Sequence, residues 1–134
     1  MSDPLTMRLD QIQPSQLYIS QDNLRTAMTA GAESLEPVPV ARLDGQIILT
    51  DGHTRALAAL LVGRCDIRVR WETDDLDWEA YRVCVRWCRQ EGILTVSDLK
   101  QRIVGAQEYE TLWHERCRHM HAELAARRAR SATS

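Results

Sequence analysis

No stretch of this chain reaches the ~18 consecutive apolar residues that a transmembrane helix needs. The first thirty residues, interrupted by Asp3, Arg8, Asp10 and Asp22, also lack the apolar h-region of a secretory signal. The expectation is a cytoplasmic protein with no membrane partner. Glycine (6) and proline (4) are scarce, which excludes collagen-like and disordered low-complexity chains. Net charge is nearly absent: 17 Lys and Arg against 19 Asp and Glu leave −2, so the chain as a whole lacks the basic footprint of a nonspecific nucleic-acid binder. Lysine is almost missing, with Lys100 the only one. Four cysteines (Cys65, Cys84, Cys88 and Cys117) in such a chain read as thiols rather than as a disulfide framework. What is present, 44% hydrophobic and 27% charged residues over 134 positions, is the composition of one globular domain with a helical appendage.

Periodicity and turn chemistry lay out the elements. Residues 6–12 alternate as a first strand that Pro14-Ser15 ends. Ser20 is placed to cap a helix whose apolar face is Leu24, Ala27 and Met28 and whose stop is Gly31. Two strands, 38–43 and 46–50, flank Asp44-Gly45, a favoured two-residue hairpin turn. Asp51 to Thr54 leads into a helix over about 55–62 with Leu57, Leu60 and Leu61 on one face, and Gly63 lies just past its end. In the strand at 66–71, Ile67, Val69 and Trp71 face a core and Arg68 and Arg70 face away. The segment 51–65 is long enough for a crossover, so a right-handed βαβ unit is expected.

Beyond Trp71 the pattern turns helical, after an acidic joint (Glu72, Asp74, Asp75, Asp77) suited to a helix N-terminus. The expected boundary divides a core at 1–72 from a helical extension at 73–134 packed on it. Trp78, Tyr81, Val85 and Cys88 share one face of a helix that Gly92 ends, and Thr95 with Asp98 forms an approximate capping box for the next. From Ala106 on, Tyr109, Leu112, Trp113, Cys117, Met120 and Leu124 make a long stripe expected to pack on the helix of Trp78, with the last residues, 126–134, frayed.

The chemistry concentrates at Thr50-Asp51-Gly52-His53-Thr54-Arg55. A strand that stops at a small turn and opens a helix gathers unpaired backbone N–H groups and the positive end of the helix dipole, which suits phosphate. Gly52 allows close backbone approach, His53 and Thr54 can donate hydrogen bonds, and Arg55 offers a fork matched to phosphate oxygens. Asp51 is the carboxylate placed to hold a metal or accept a proton. The structural alternative is that Asp51 or Thr54 merely caps the helix and Arg55 pairs with Glu33 or Glu36.

The order of strand, helix, hairpin, this turn with its helix, and a further strand resembles the ParB/sulfiredoxin fold over roughly residues 7–71. The expected fold class is therefore α+β, a small mixed sheet of ParB/sulfiredoxin type with a C-terminal helical extension. In that superfamily the matching turn is GERR-like in ParB partition proteins, GGCHR-like in sulfiredoxins, and DGHHR- or DGHTR-like in the free serine kinases; Asp51-Gly52-His53-Thr54-Arg55 is most similar to the last. The resemblance implies a nucleotide (ATP, ADP or CTP) as cofactor, with or without Mg²⁺. Gly52, His53, Thr54 and Arg55 would contact its phosphates, and Asp51 and His53 would be the catalytic candidates, Asp51 also as metal ligand. The segment 78–99 resembles the helical extension of small ParB-like proteins and implies no activity by itself.

Departures from the pattern narrow the reading. Sulfiredoxins carry a catalytic cysteine within the turn, whereas His53 stands here and Cys65 lies past the helix, so sulfinic acid reduction is not expected. Serine kinases use a glutamate in a Pro-His-Glu-like segment as base; Pro14-Ser15-Gln16 ends in an amide that cannot take a proton. Either Asp51 serves as base or phosphotransfer is absent. No helix-turn-helix with a basic recognition face follows Trp71, so plasmid partition is not expected. Two functions stay in play: phosphotransfer to a small hydroxyl metabolite, or a noncatalytic nucleotide-switched module that contacts DNA or a protein.

Three other groupings stand out. Cys84 and Cys88 on one helix and His114, Cys117 and His121 on another have the spacing to surround zinc if the helices pack, although Cys117 belongs to the apolar stripe and buried cysteines behave as small hydrophobes. Arg82, Arg86 and Arg89, with Arg116, Arg118, Arg127, Arg128 and Arg130, form a basic surface for nucleic acid or an acidic partner, or a solvated face in which Glu79 pairs with Arg82. Trp87 lies off its helix's main stripe, where exposure would mark a protein contact or dimer interface.

Overall fold

The computed structural model describes residues 5–31 and 36–132 of the chain. Strand β3 (Val38–Leu43) is the centre of a four-stranded mixed sheet. Strand β4 (Gln46–Leu49) returns antiparallel through Asp44-Gly45, both of whose φ angles are positive (52° and 82°), as the hairpin turn requires. Strand β5 (Asp66–Trp71) lies on the other side of β3 and parallel to it, pairing Val38 with Val69, and β1 (Leu5–Arg8) closes that edge antiparallel to β5. The α+β class with a small mixed sheet is thus observed.

The expected βαβ unit is not formed. Because β5 runs parallel to β3, it is antiparallel to β4, and the helix between them does not join neighbouring parallel strands. The outer edge of β4 is already taken by Gln13, whose N–H donates to the Ile47 carbonyl (2.9 Å) and whose carbonyl accepts from Leu49 N–H (3.0 Å). The free edge was that of β3. The first strand also ends early, at Arg8, and a 3-10 turn (Leu9–Gln11) follows. Leu9 and Ile12 have opposite parity on a strand, and the turn lets both reach the core. In β5, Ile67 and Val69 are buried as expected, but Trp71 is 44% exposed at the end of the strand, with the Arg42 guanidinium 5.8 Å from its ring centre.

Helix α1 (Gln21–Ala30) is capped by Ser20, whose hydroxyl accepts from Asn23 N–H (3.2 Å), and it buries Leu24 and Ala27; Met28 stays exposed. Helix α2 (His53–Leu61) starts two residues earlier than the leucine pattern indicated and buries His53, Ala56, Leu57, Ala58 and Ala59, while Leu61 is 41% exposed. Its small residues allow close approach to the elements on both sides. Helix α3 (Trp78–Gln90) is capped by Asp77, which accepts from Ala80 N–H (3.2 Å). The Thr95/Asp98 capping box forms as expected, opening a 3-10 helix (Val96–Gln101) that buries Val96 and Leu99. Two short parallel strands absent from the sequence reading, β2 (Ile19–Ser20) and β6 (Ile103–Val104), tie the later part of the chain to the start of α1.

The last helical segment is α4 (Ala106–Tyr109), a π-helical turn (Glu110–His114) and α5 (Glu115–Ala132). Trp113, Met120 and Leu124 bury its stripe, whereas Leu112 is exposed. One apolar cluster contains residues from both sides of position 72, from Leu9 and Leu57 to Cys88 and Leu124. The last helix is continuous through Ala132 in the structure, and Arg127 donates to Glu79 (2.6 Å) and Arg128 to Asp77 and Glu79 (2.8 Å each), which tie this part of α5 to the start of α3. Among the described residues no helix is long and apolar enough to cross a membrane.

Asp77 therefore has two functions, cap and anchor, of which the cap is the stronger because exposed ion pairs contribute little. Asp77→Ala should cost about 1–2 kcal/mol in chemical denaturation, whereas Asp77→Asn, which keeps the cap acceptor, should lose less than half of that.

Candidate functional site

Strand β4 is fixed at its end before the turn begins. Thr50 is buried; its N–H donates to the Pro39 carbonyl (3.2 Å) and its hydroxyl to Glu72 (2.8 Å), a bond that holds the Glu72 carboxyl below its ordinary range. The Tyr81 hydroxyl on α3 donates to the Thr50 carbonyl (2.8 Å), and burial pushes its pKa up to about 12, so it remains a donor.

Gly52 is the N-cap of α2, with φ of +77°. A Cβ there would lie 2.7 Å from Val38 Cγ1 and 2.8 Å from Arg55 Nη2, so both backbone conformation and space require glycine. Among the described residues no side chain caps this helix. The cap expected as an alternative from Asp51 or Thr54 is not made. The first intrahelical bond runs from Ala56 N–H to the Gly52 carbonyl, which leaves the N–H groups of His53, Thr54 and Arg55 at the mouth of a nine-residue helix.

His53 is only 4% exposed. Its Nε2 accepts the Ser15 backbone N–H at 2.9 Å, and the Ser15 hydroxyl, 3.5 Å from the same nitrogen, donates to the Leu49 carbonyl at 2.6 Å. Burial lowers the His53 pKa to about 4, against a smaller opposing effect of the Asp51 charge. The ring is therefore neutral near pH 7, and with Nε2 accepting, its proton sits on Nδ1. Nδ1 is buried and has no protein partner among the described residues. A buried donor left unsatisfied costs on the order of 1–3 kcal/mol, so this N–H is a place where a ligand acceptor is favoured.

A cleft of about 520 Å³ opens over the turn, and all five sequence-derived candidates, Asp51, Gly52, His53, Thr54 and Arg55, line it. Asn23 and Thr26 of α1 and Tyr109 of α4 complete its wall with Gln16. The sequence had not marked these α1 and α4 residues, nor Ser15 and Tyr81 behind the turn; they arrive through tertiary packing. Asp51 is exposed and is the only carboxylate lining the cleft among the described residues. Arg55 donates through Nη1 to the carbonyls of Glu36 (3.2 Å) and Pro37 (3.5 Å), so its contact with Glu36 is to backbone; Glu33 lies outside the described residues. The Gln16 amide donates to the Tyr18 carbonyl (2.8 Å) and the Tyr109 hydroxyl (3.0 Å).

The remaining groupings resolve differently. Among the described residues no three His, Cys, Asp or Glu side chains converge as a metal site. Cys84 and Cys117 share a cavity wall, Cys88 is buried with its pKa pushed up to about 12 mainly by that burial, and His114 pairs with Glu110 (2.8 Å). Several arginines of the basic surface make intramolecular pairs while remaining exposed. Arg82 pairs with Asp44 (2.9 Å) rather than Glu79, Arg89 donates to Gln13 (3.2 Å), and Arg118 pairs with Glu110 (2.7 Å). Trp87 is half-buried between the Trp113 ring (6.3 Å) and the Arg116 guanidinium (4.1 Å), so it does not offer the exposed contact its position suggested.

No family model matches the chain, and neither does any curated protein. Among solved structures it is similar to a sulfiredoxin from Arabidopsis thaliana, at 19% identity over 55% of this chain and 88% of that one, with a TM-score of 0.43. It is also similar to protein Atu1540 from Agrobacterium tumefaciens, at 14% identity over 69% of this chain, with a TM-score of 0.44; the match spans 50% of that protein. These likenesses concern the backbone, and no residue role passes through them.

Two outcomes follow from the geometry. Gly52→Ala should destabilise the fold by about 2 kcal/mol or more, from the left-handed backbone and the clash with buried Val38, readable as a lowered denaturation midpoint. His53 is harder to protonate folded than unfolded (about 4 against 6.5), so stability is complete above pH 6.5 and declines as pH falls toward 4. The decline attributable to this ring is about 3 kcal/mol, and the slope between pH 6.5 and 4.5 should flatten in His53→Gln.

Proposed function

We propose that the cleft at the start of α2 binds the phosphate groups of a nucleoside phosphate. The observation that carries this reading is the N-terminus of α2, uncapped among the described residues, combined with the buried His53 Nδ1–H, which has no partner among them. An anion there would accept from the N–H groups of His53, Thr54 and Arg55 and complement the helix dipole, with the Thr54 hydroxyl and Arg55 guanidinium adding charge-assisted bonds. The nucleoside is suggested by the similarity of residues 51–55 to the turn of the free serine kinases.

Asp51 suits Mg²⁺, which is commonly held by one or two carboxylates together with substrate phosphates. Bound there, the ion would neutralise charge on the phosphate oxygens. In the alternative role, without the ion, Asp51 would take the proton of a small hydroxyl acceptor as its oxygen bonds to phosphorus and the bond to the leaving phosphate breaks; the chain's contribution is positioning and charge. One observation favours the noncatalytic alternative, a nucleotide-responsive module. At the position where an acid would serve as base, Gln16 has its amide tied to Tyr18 and Tyr109.

Calorimetric titration with ATP, ADP and CTP, each with and without Mg²⁺, tests the site. Saturable binding is expected, weakened by about 1.5–3 kcal/mol in Arg55→Ala; absence of binding to all three nucleotides would overturn the reading. Asp51→Asn that retains affinity and loses turnover identifies an enzyme, whereas a wild-type protein that binds but turns over no hydroxyl acceptor is the noncatalytic module.

A further inference from the structure

His53 and Gln16 also line a second, half-open pocket of about 280 Å³ between the end of β4, α3 and α5. Its apolar walls are Ala80 and Tyr81 from α3 and Trp113 and Met120 from the last helical segment. Both aromatic rings are held in place before any ligand arrives: Tyr81 by its hydrogen bond to the Thr50 carbonyl (2.8 Å), Trp113 by its edge contact with Trp87 (6.3 Å). Of the ionisable groups on the walls, Asp77 is bound by Arg128 (2.8 Å) and by Ala80 N–H (3.2 Å), His53 is neutral, and His121 is exposed to solvent, so none is a buried, unpaired charge.

Size and lining together define what fits. An apolar cavity of about 150 Å³ holds a benzene ring, so this one has room for roughly two fused rings. Aromatic walls favour a planar guest that can stack or meet their edges. A purely hydrocarbon ring would leave the polar rim unused. Ser15, Gln16 and Thr50 line the cavity, and with the Gln16 amide nitrogen spent on Tyr18 and Tyr109, its Oε1 is left among the described residues to accept from a ring N–H.

We infer that the cavity between α3 and α5 binds an uncharged, planar, bicyclic heteroaromatic ring. Since the cavity shares His53 and Gln16 with the phosphate cleft, the ring is either the base of the nucleotide whose phosphates occupy that cleft or a free ring bound beside it. The first source rests on the proposed phosphate site; the second does not.

Calorimetry with pyrophosphate, ADP and adenine separates these cases. If the ring belongs to the nucleotide, ADP binds about tenfold or more tightly than pyrophosphate. Ala80→Leu, which fills the cavity from α3, then removes that advantage and leaves pyrophosphate affinity unchanged. If the ring is free, adenine binds by itself, in the presence of pyrophosphate as well, and Ala80→Leu abolishes it. Equal affinities for ADP and pyrophosphate together with no binding of adenine would overturn the inference while leaving the phosphate site intact. Binding of adenine without pyrophosphate would instead remove the phosphate site and keep the ring. A measurement on the unaltered chain guards against misfolding of the variant. Cys117, half-buried in the cavity wall, should be alkylated by iodoacetamide several-fold more slowly with ADP or adenine and at an unchanged rate with pyrophosphate, as read by mass spectrometry of its peptide. An unchanged rate with all three would contradict the inference.

Discussion

The hydrogen bond from Ser15 N–H to His53 Nε2 is the constraint on which the rest of the site depends. It joins the segment after the first strand to the first residue of α2, in a place where burial keeps the imidazole neutral. By occupying Nε2 it assigns the proton to Nδ1, a donor with no partner among the described residues, on the first residue of the helix. A charged histidine could not occupy this position without a partner for its charge. The chain therefore accepts a loss of stability in acid in exchange for a fixed tautomer.

The surrounding structure serves the same geometry. Gln13 seals the edge of β4 and ties its side chain to the Pro14 and Ile93 carbonyls, so the turn-bearing strand cannot slide. Tyr81 and Glu72 hold Thr50 from two directions. Val38 packs where a Cβ on residue 52 would otherwise stand, which lets the backbone close against the sheet. The helical extension thus completes the site: Tyr81, Tyr109 and Trp113 all come from beyond residue 72, and each lines the cleft or the cavity beside it.

The sequence revealed what is encoded locally. The Asp44-Gly45 turn, the Ser20 and Asp77 helix starts, the Thr95/Asp98 box and the strand-turn-helix at residues 50–55 are determined by residues adjacent in the chain, and all are present. The choice of β3 rather than β4 as partner for β5 was illegible because it was decided by Gln13, more than thirty residues from β4 in sequence. Burial of His53 could be read only once α2 was seen to begin at residue 53: three and four residues before Ala56 and Leu57, it then shares their buried face, and Ser15 and later helices complete its cover. Trp71 misled through alternation, which continues to the strand's end after the packing beneath it has stopped. The order of the tail is not legible locally because the partners of its exposed arginines, Asp77 and Glu79, lie 48 to 51 residues away in sequence.

The central claim is that a neutral His53, protonated on Nδ1, and the free amides of α2 form one anion site. Nitrogen-15 NMR of the full chain at pH 7, before and after addition of pyrophosphate, tests it most directly. The account predicts ring shifts of the neutral Nδ1–H tautomer for His53, and movement of its Nδ1 together with the amides of residues 53–55 on titration. A charged or Nε2-protonated His53, or amides of residues 53–55 that do not respond, would contradict it.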